Sequence, residues 1–278
     1  MKHQKLAHLK TRFTLKHHAD YGWLESTNAA EKKLVLIHGV TGGKEDMLPL
    51  AVEYEKRGYH VYCLDLPGHN DSPWNGEMSF LQLADWLRGF ISHIGEPDVL
   101  VSNSFSSAVV YAYIQQGNLP AKTHVILGCP TPDTSRLAYG LHRVSNIIPT
   151  ETSWYLYTTK LANGIRTSMA AKKLRRQSIR WLMESEKRKR PTLHPHAGIL
   201  LSNLLFTDNP YEGARIPDDI QRRMTIILGT KDNVVTRKTA GKLKDLLPEA
   251  KHILAHGAGH ILHFEALDDY LYILDKNA

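Results

Sequence analysis

Residues 98–114, DVLVSNSFSSAVVYAYI, hold an apolar run, a cluster of small polar residues and a second apolar run of helical length. DVLVS is nearly all apolar, as a strand covered on both faces should be. The run after it reads as a helix over 104–116, leaving the turn Ser102-Asn103-Ser104-Phe105-Ser106 between the two. A side chain lifted above a sheet needs a sharp, strained strand-to-helix turn, with small residues two before and two after it so that nothing collides. Ser104 stands at the apex and Ser102 and Ser106 are the small flanks. The usual pattern has glycine at both flanks, so the match is to small-x-Ser-x-small. Taken alone, a serine-rich turn also describes a plain helix cap. Ser104 becomes a candidate nucleophile only if partners for it exist elsewhere in the chain.

The surroundings repeat the alternation of strand and helix. Short apolar runs at 34–37 (LVLI), 60–66 (HVYCLDL), 124–128 (HVILG), 224–229 (MTIILG) and 252–256 (HILAH) are bounded by turn signals. Helical stretches are expected at 45–57, at 79–94 (opening with the capping-box pair Ser79 and Gln82), at 236–247 and at 264–276. This order argues for an α/β fold with a mostly parallel sheet of about eight strands flanked by helices. Residues 12–27 alternate around polar turn residues and read as an antiparallel hairpin at the sheet edge. Residues 131–217 show no strand pattern. There Leu174, Trp181 and Leu182 fall on one helix face, which predicts a helical insertion dividing a core formed by 1–130 and 218–278.

The partners for Ser104 lie downstream. Asp232 follows the strand MTIILG, just past its C-terminal end, where open α/β sheets place their ligands. His260 follows the next strand, in the glycine-flanked loop HGAGHILHFE. A nucleophile, an acid and a base in the chain order Ser, Asp, His suit this kind of sheet and differ from the orders found on unrelated folds. Oxyanion donors should come from the loop after an early central strand. In LVLIHGVTGGKED, Gly39 permits a sharp turn that would aim the N–H of Val40 beside that of Phe105, with His38 in a supporting hydrogen-bonding role. A phosphate loop is the rival reading of Gly39, Gly43 and Lys44. It fails because only three residues separate the glycines and Glu45 follows the lysine, where Ser or Thr is required.

At this point the chain resembles the α/β-hydrolase superfamily over almost its whole length. The matching pieces are His38-Gly39, Asp65-Leu66-Pro67-Gly68-His69, the turn around Ser104, Asp232 and His260. The resemblance implies a serine hydrolase that cleaves a carboxylic ester, acyl ester ahead of thioester, through an acyl-enzyme on Ser104. C–C bond hydrolysis uses the same triad. A catalytically silent member that binds a ligand or partner is the alternative reading. The resemblance also implies that 131–217 form a cap over the pocket, that Asp133 is an alternative position for the acid, and that no metal or organic cofactor takes part. Serine at the apex sets the chain apart from relatives with a carboxylate nucleophile, such as dehalogenases and epoxide hydrolases.

The formal charge of +7 is concentrated in one place. Residues 171–190 carry nine Lys or Arg against two Glu, which accounts for the whole surplus and argues against nucleic-acid binding by the fold at large. Lys172, Lys173, Arg175, Arg176, Arg180 and the run 187–190 read either as a solvated helix face or as the site of an anionic group on an acyl substrate or a lipid surface. No window approaches the ~18 apolar residues of a spanning helix, and residues 1–30 lack the apolar run of a secretory signal. Cys63 and Cys129 sit singly in strand-like runs. With no CxxC spacing, they suit a reducing, cytoplasmic setting. His194 and His196 have no Cys or carboxylate near them in sequence and read as loop residues rather than metal ligands.

Overall fold

The computed structural model describes residues 10–133, 143, 147–172, 182–184, 186–187, 191–235 and 237–277. Its strands are β1 Phe13–His18, β2 Tyr21–Ser26, β3 Lys32–Ile37, β4 Tyr59–Leu64, β5 Val99–Asn103, β6 His124–Gly128, β7 Met224–Gly229 and β8 Lys251–Ala255. They form one sheet in the order β1-β2-β4-β3-β5-β6-β7-β8. The hairpin β1–β2 and the β2–β4 pair are antiparallel, and every other pairing is parallel. The expected hairpin thus forms the edge of a mostly parallel sheet. All of β1 beyond Phe13 is exposed, and its Lys16, His17 and His18 suit an edge that must not pair with another chain.

Helices cover the two faces. They are α1 Leu48–Glu55, α2 Phe80–Ile94, α3 Phe105–Gln115, α4 Thr150–Tyr157, α5 Lys160–Ala170, α6 Pro195–Thr207, α7 Asp218–Gln221, α8 Arg237–Leu246, α9 Leu262–Glu265 and α10 Leu267–Asn277. The capping box at the start of α2 is present: Ser79 Oγ accepts the N–H of Gln82 at 3.2 Å and Gln82 Oε1 accepts that of Ser79 at 2.8 Å. Between β6 and β7 the described segments are helical, with no strand among them. Leu182 is buried there, while Leu174 and Trp181 lie outside the described residues.

Several expected boundaries shift. The helix expected at 45–57 is a 3₁₀ turn over Lys44–Met47 followed by α1, because Pro49 is tolerated only in a helix's first turn. The helix expected at 264–276 is two helices broken at Ala266, whose φ of −125° and ψ of 35° leave the helical region. The strand expected at 60–66 ends at Leu64, and HILAH is not covered on both faces. β8 is the far edge of the sheet, and Leu254 is exposed there.

One topological feature places the site. β3 lies between β4 and β5, with Ile37 paired to Leu64 on one side and to Ser102 on the other. The chain leaves β3 toward β4 and later returns past it to β5. The C-terminal ends of β3 and β5 therefore mark the switch point of strand order, the place where open α/β sheets bind ligands.

Candidate active site

Ser104 is the single residue between β5 and α3, with φ 57° and ψ −118°. The expected five-residue turn is therefore tighter than predicted, since Ser102 and Asn103 complete the strand and Ser106 is already helical. Such a conformation in a residue with a Cβ costs about 1–3 kcal/mol and persists only where the surroundings enforce it. Here the N–H of Ser104 donates to Gly128 O at 2.7 Å. Ser106 Oγ accepts the N–H of Asn103 at 2.9 Å and donates to Ile37 O at 3.0 Å, tying β5 to β3. Ser102 and Ser107 join hydroxyl to hydroxyl at 3.1 Å, and Ser107 continues to Gly128 O at 3.2 Å. Of the two serines that replace the usual glycines, Ser106 satisfies backbone groups of the turn and of β3, while Ser102 reaches the backbone of β6 only through the Ser107 hydroxyl. Ser107 was not singled out from the sequence, because its partner comes from β6.

Asp232 and His260 come from the loops after β7 and β8. Gly229 makes their close approach possible: a Cβ there would lie 2.2 Å from Gly259 O. The N–H of Lys231 also donates to Ala258 O at 2.9 Å. His260 Nδ1 lies 2.8 Å from Asp232 Oδ2, and its Nε2 lies 2.8 Å from Ser104 Oγ. The structure thus brings together the three residues expected to form a triad. Asp133 is elsewhere, paired with Lys242 at 3.1 Å on the partly exposed surface.

The second Asp232 oxygen accepts the N–H groups of Val234 and Val235 at 2.7 and 2.9 Å. Burial alone would raise this carboxyl, but the hydrogen bond and charge of His260, with the Val235 amide and the Cys129 thiol, hold it below the usual carboxylate range. Cys129 is more than the buried hydrophobe it resembled. Its thiol is pushed well above its ordinary value by burial and by Asp232, so it stays protonated as a donor to that carboxylate. Cys129, Asp232 and His260 are also the one trio of metal-type donors grouped among the described residues. A protonated thiol and a carboxylate already bonded to its imidazole make a poor metal set.

The loop after β3 lies against Ser104: a Cβ on Gly39 would sit 3.4 Å from that of Ser104. His38 Nδ1 donates to Gly39 O at 2.7 Å and its Nε2 accepts the N–H of Leu66 at 3.1 Å. Lys44 is buried, its ammonium paired with Asp65 and Asp71, so it is not the free lysine a phosphate loop would present. Burial would raise Asp65, yet His38 and Lys44 outweigh it and hold the carboxyl well below its ordinary range.

His69 closes this network. Its ring nitrogens face Pro67 O and Val40 O at 3.0 and 2.5 Å. Burial, then the neighbouring His38, outweighs both carbonyls and pushes its pKa down from 6.5 to about 4. The unfolded chain takes up this proton near pH 6.5 and the folded chain only near pH 4, so stability is full above 6.5 and falls as pH drops between them. The whole interval corresponds to about 3 kcal/mol. His124, also lowered to about 4 by burial, acts in the same direction. Urea unfolding at pH 7 and pH 4.5 is expected to show this loss, with a shallower slope in His69→Gln. Equal slopes would sink the assignment to His69.

Of the basic residues singled out, Lys172 and Lys187 are described, while Lys173, Arg175, Arg176, Arg180 and 188–190 lie outside the described residues. Lys172 Nζ donates to Ser168 O at 2.6 Å. His194 stands just before α6 without a side-chain capping bond, and His196, expected in a loop, lies in the first turn of that helix and meets Glu151 at 2.9 Å. Among the described residues no helix is long and apolar enough to cross a membrane.

A family model described as the alpha/beta hydrolase family matches residues 34–271. The chain is 25% identical over 260 residues to Lipase 1 of Psychrobacter immobilis, spanning 89% of this chain and 77% of that protein. Among solved structures it superposes on a membrane phospholipase A described as a bacterial virulence factor. The TM-score is 0.73 at 18% identity, over 98% of this chain and 91% of that one. An esterase from Exiguobacterium antarcticum gives a TM-score of 0.70 at 12% identity, over 92% and 95% of the two chains.

Proposed function

The chain belongs to the α/β-hydrolase family, and from that premise we propose that it is a serine hydrolase cleaving a carboxylic ester through an acyl-enzyme on Ser104. The observation that carries this is the unbroken hydrogen-bonded chain Asp232–His260–Ser104, with its serine held in a strained turn. Asp232 fixes the imidazole tautomer with the proton on Nδ1, so Nε2 is free to take the hydroxyl proton as Oγ attacks the acyl carbon. The imidazolium then protonates the leaving alkoxide. Water, deprotonated by the same nitrogen, releases the acid.

The oxyanion falls to the N–H groups of Val40 and Phe105. Gly39 O is clamped by His38 at 2.7 Å and by the N–H of Gly42 at 2.7 Å. A trans peptide points its C=O and N–H in opposite directions, so the clamp turns the Val40 N–H away from His38. Phe105 opens α3, where the first four N–H groups have no partner within the helix. Together they offer two fixed donors beside Oγ, in the manner that stabilises developing charge without reorganisation.

The segment between β6 and β7 serves in this reading as a cap. Ile147, Tyr155, Leu156, Leu161 and Ile165 are exposed on it. Apolar acyl chains therefore suit it better than small polar ones, in keeping with the lipase among the relatives, and the basic run of 171–190 would meet an anionic group. The buried, unpaired Cys63 and Cys129 fit work in the cytoplasm.

Labelling by a fluorophosphonate probe tests the proposal. The protein is expected to be labelled and to hydrolyse p-nitrophenyl esters, with a preference among chain lengths. Absence of label, alongside a labelled control esterase, would leave a ligand-binding protein as the better reading.

A further inference from the structure

The loop carrying His260 is held from outside the sheet as well as from within it. Helix α5 ends against this loop, and Ala170 O accepts the N–H of His260 at 2.7 Å. Two residues on, the N–H of Lys172 donates to Glu265 Oε1 at 2.6 Å. The other oxygen of that carboxylate accepts the N–H of Gly259. Glu265 is only 9% exposed. Gly259 leaves room for the contact, since a Cβ there would lie 2.2 Å from Ala170 O and 3.1 Å from Lys172 Cγ.

We propose that Glu265 is a positioning residue that latches the segment Ala170–Lys172 to the catalytic loop, so that His260 reaches Ser104 only while that segment is seated. This rests on the reading of His260 as the base. The physical reason is the buried carboxylate. A carboxylate out of water needs hydrogen-bond donors, and two of those on Glu265 lie on different parts of the chain, one beside His260 and one in the segment after α5. Charge-assisted bonds of this kind are the strong ones. If residues 170–172 lift, Glu265 loses the Lys172 amide and His260 loses the acceptor of its own N–H in the same movement. The seated cap and the aligned base are then two aspects of one state, and opening for substrate entry or product release disengages the base.

Proline substitution isolates the latch. Lys172→Pro removes the N–H and sets the ring Cδ against Glu265 Oε1, so the carboxylate must part from residue 172. Ala171 before it already has φ −101° and ψ 127°, a conformation that proline favours in its predecessor. Lys172→Ala removes the same side chain but keeps the N–H. On a short neutral ester, Lys172→Pro is expected to show a kcat at least about tenfold below that of Lys172→Ala with KM within about twofold, since a small misplacement of a catalytic group is costly in rate. Glu265→Gln, which offers one acceptor where two N–H groups require it, is expected to lose kcat in the same way with KM again within about twofold, and to lower Tm by several degrees because one buried N–H is left unpaired. Backbone hydrogen exchange at His260 should quicken at least about tenfold in Lys172→Pro relative to Lys172→Ala. Equal kcat and equal exchange in the proline and alanine variants would overturn the latch. If wild type resists the fluorophosphonate probe, the hydrolase reading fails, and the exchange comparison still decides whether the segment is latched.

Discussion

Ester turnover is expected to fall by about 10⁶ when Ser104 is replaced by alanine, with complete loss of fluorophosphonate labelling. No neighbouring hydroxyl can substitute for it. Ser102, Ser106 and Ser107 are fully buried and hydrogen-bonded within the turn or to β3 and β6. A residual ~10³–10⁴ over water should persist if Val40 and Phe105 supply the oxyanion hole, because those donors are backbone groups that the substitution leaves in place. Stability moves the other way. Alanine has the same Cβ as serine and inherits the strain at φ 57°, so its Tm should stay close to wild type. Ser104→Gly should raise Tm, because glycine adopts this conformation without steric cost and relieves part of the ~1–3 kcal/mol stored there. Thermal melts beside turnover assays separate the two effects. An alanine variant keeping more than about 10⁻² of wild-type turnover would exclude Ser104 as the nucleophile.

The features legible in the sequence were those written in short stretches of chain. Residues 98–114 carried both the strand and the helix around Ser104, and glycines and turn residues marked the loops of Asp232 and His260. The edge hairpin followed from alternation within 12–27, and the P-loop reading fell on spacing alone. What escaped was whatever depends on two distant segments meeting. Ser107 acts on Gly128 of β6, and Cys129 donates its thiol to a carboxylate after β7. Glu265 joins Lys172 across 93 positions. None of these leaves a periodic or compositional trace. His69 is intermediate: the sequence placed it after the fourth strand, but only the fold shows it against Val40 O. The helices mispredicted at 45–57 and 264–276 failed at Pro49 and Ala266. Proline carried a readable warning. Alanine, a strong helix former, carried none, and tertiary packing overrode it.

The choice between two acids provides the second large effect. Asp232→Asn is expected to cost about 10⁴ in kcat while leaving the fold intact, as loss of the triad carboxylate does on other folds. The geometry explains why so small a change should cost so much. Val234 and Val235 both donate N–H groups to one oxygen of residue 232 and require an acceptor there. In the variant the amide oxygen takes that position, which turns the NH₂ group toward His260 Nδ1. An NH₂ is a donor, so Nδ1 must become the acceptor and the ring proton must move to Nε2. Nε2 then presents a proton to Ser104 where it should present a lone pair, and general-base catalysis stops. Asp133→Asn alters nothing in this chain of contacts. It removes an ion pair with Lys242 in which both side chains are more than a third exposed, an interaction worth about 0–1 kcal/mol. Turnover in that variant should stay within about twofold of wild type. A loss in Asp133→Asn with Asp232→Asn nearly intact would move the acid to the loop after β6, and the hydrogen bond from His260 to Asp232 would then be structural only.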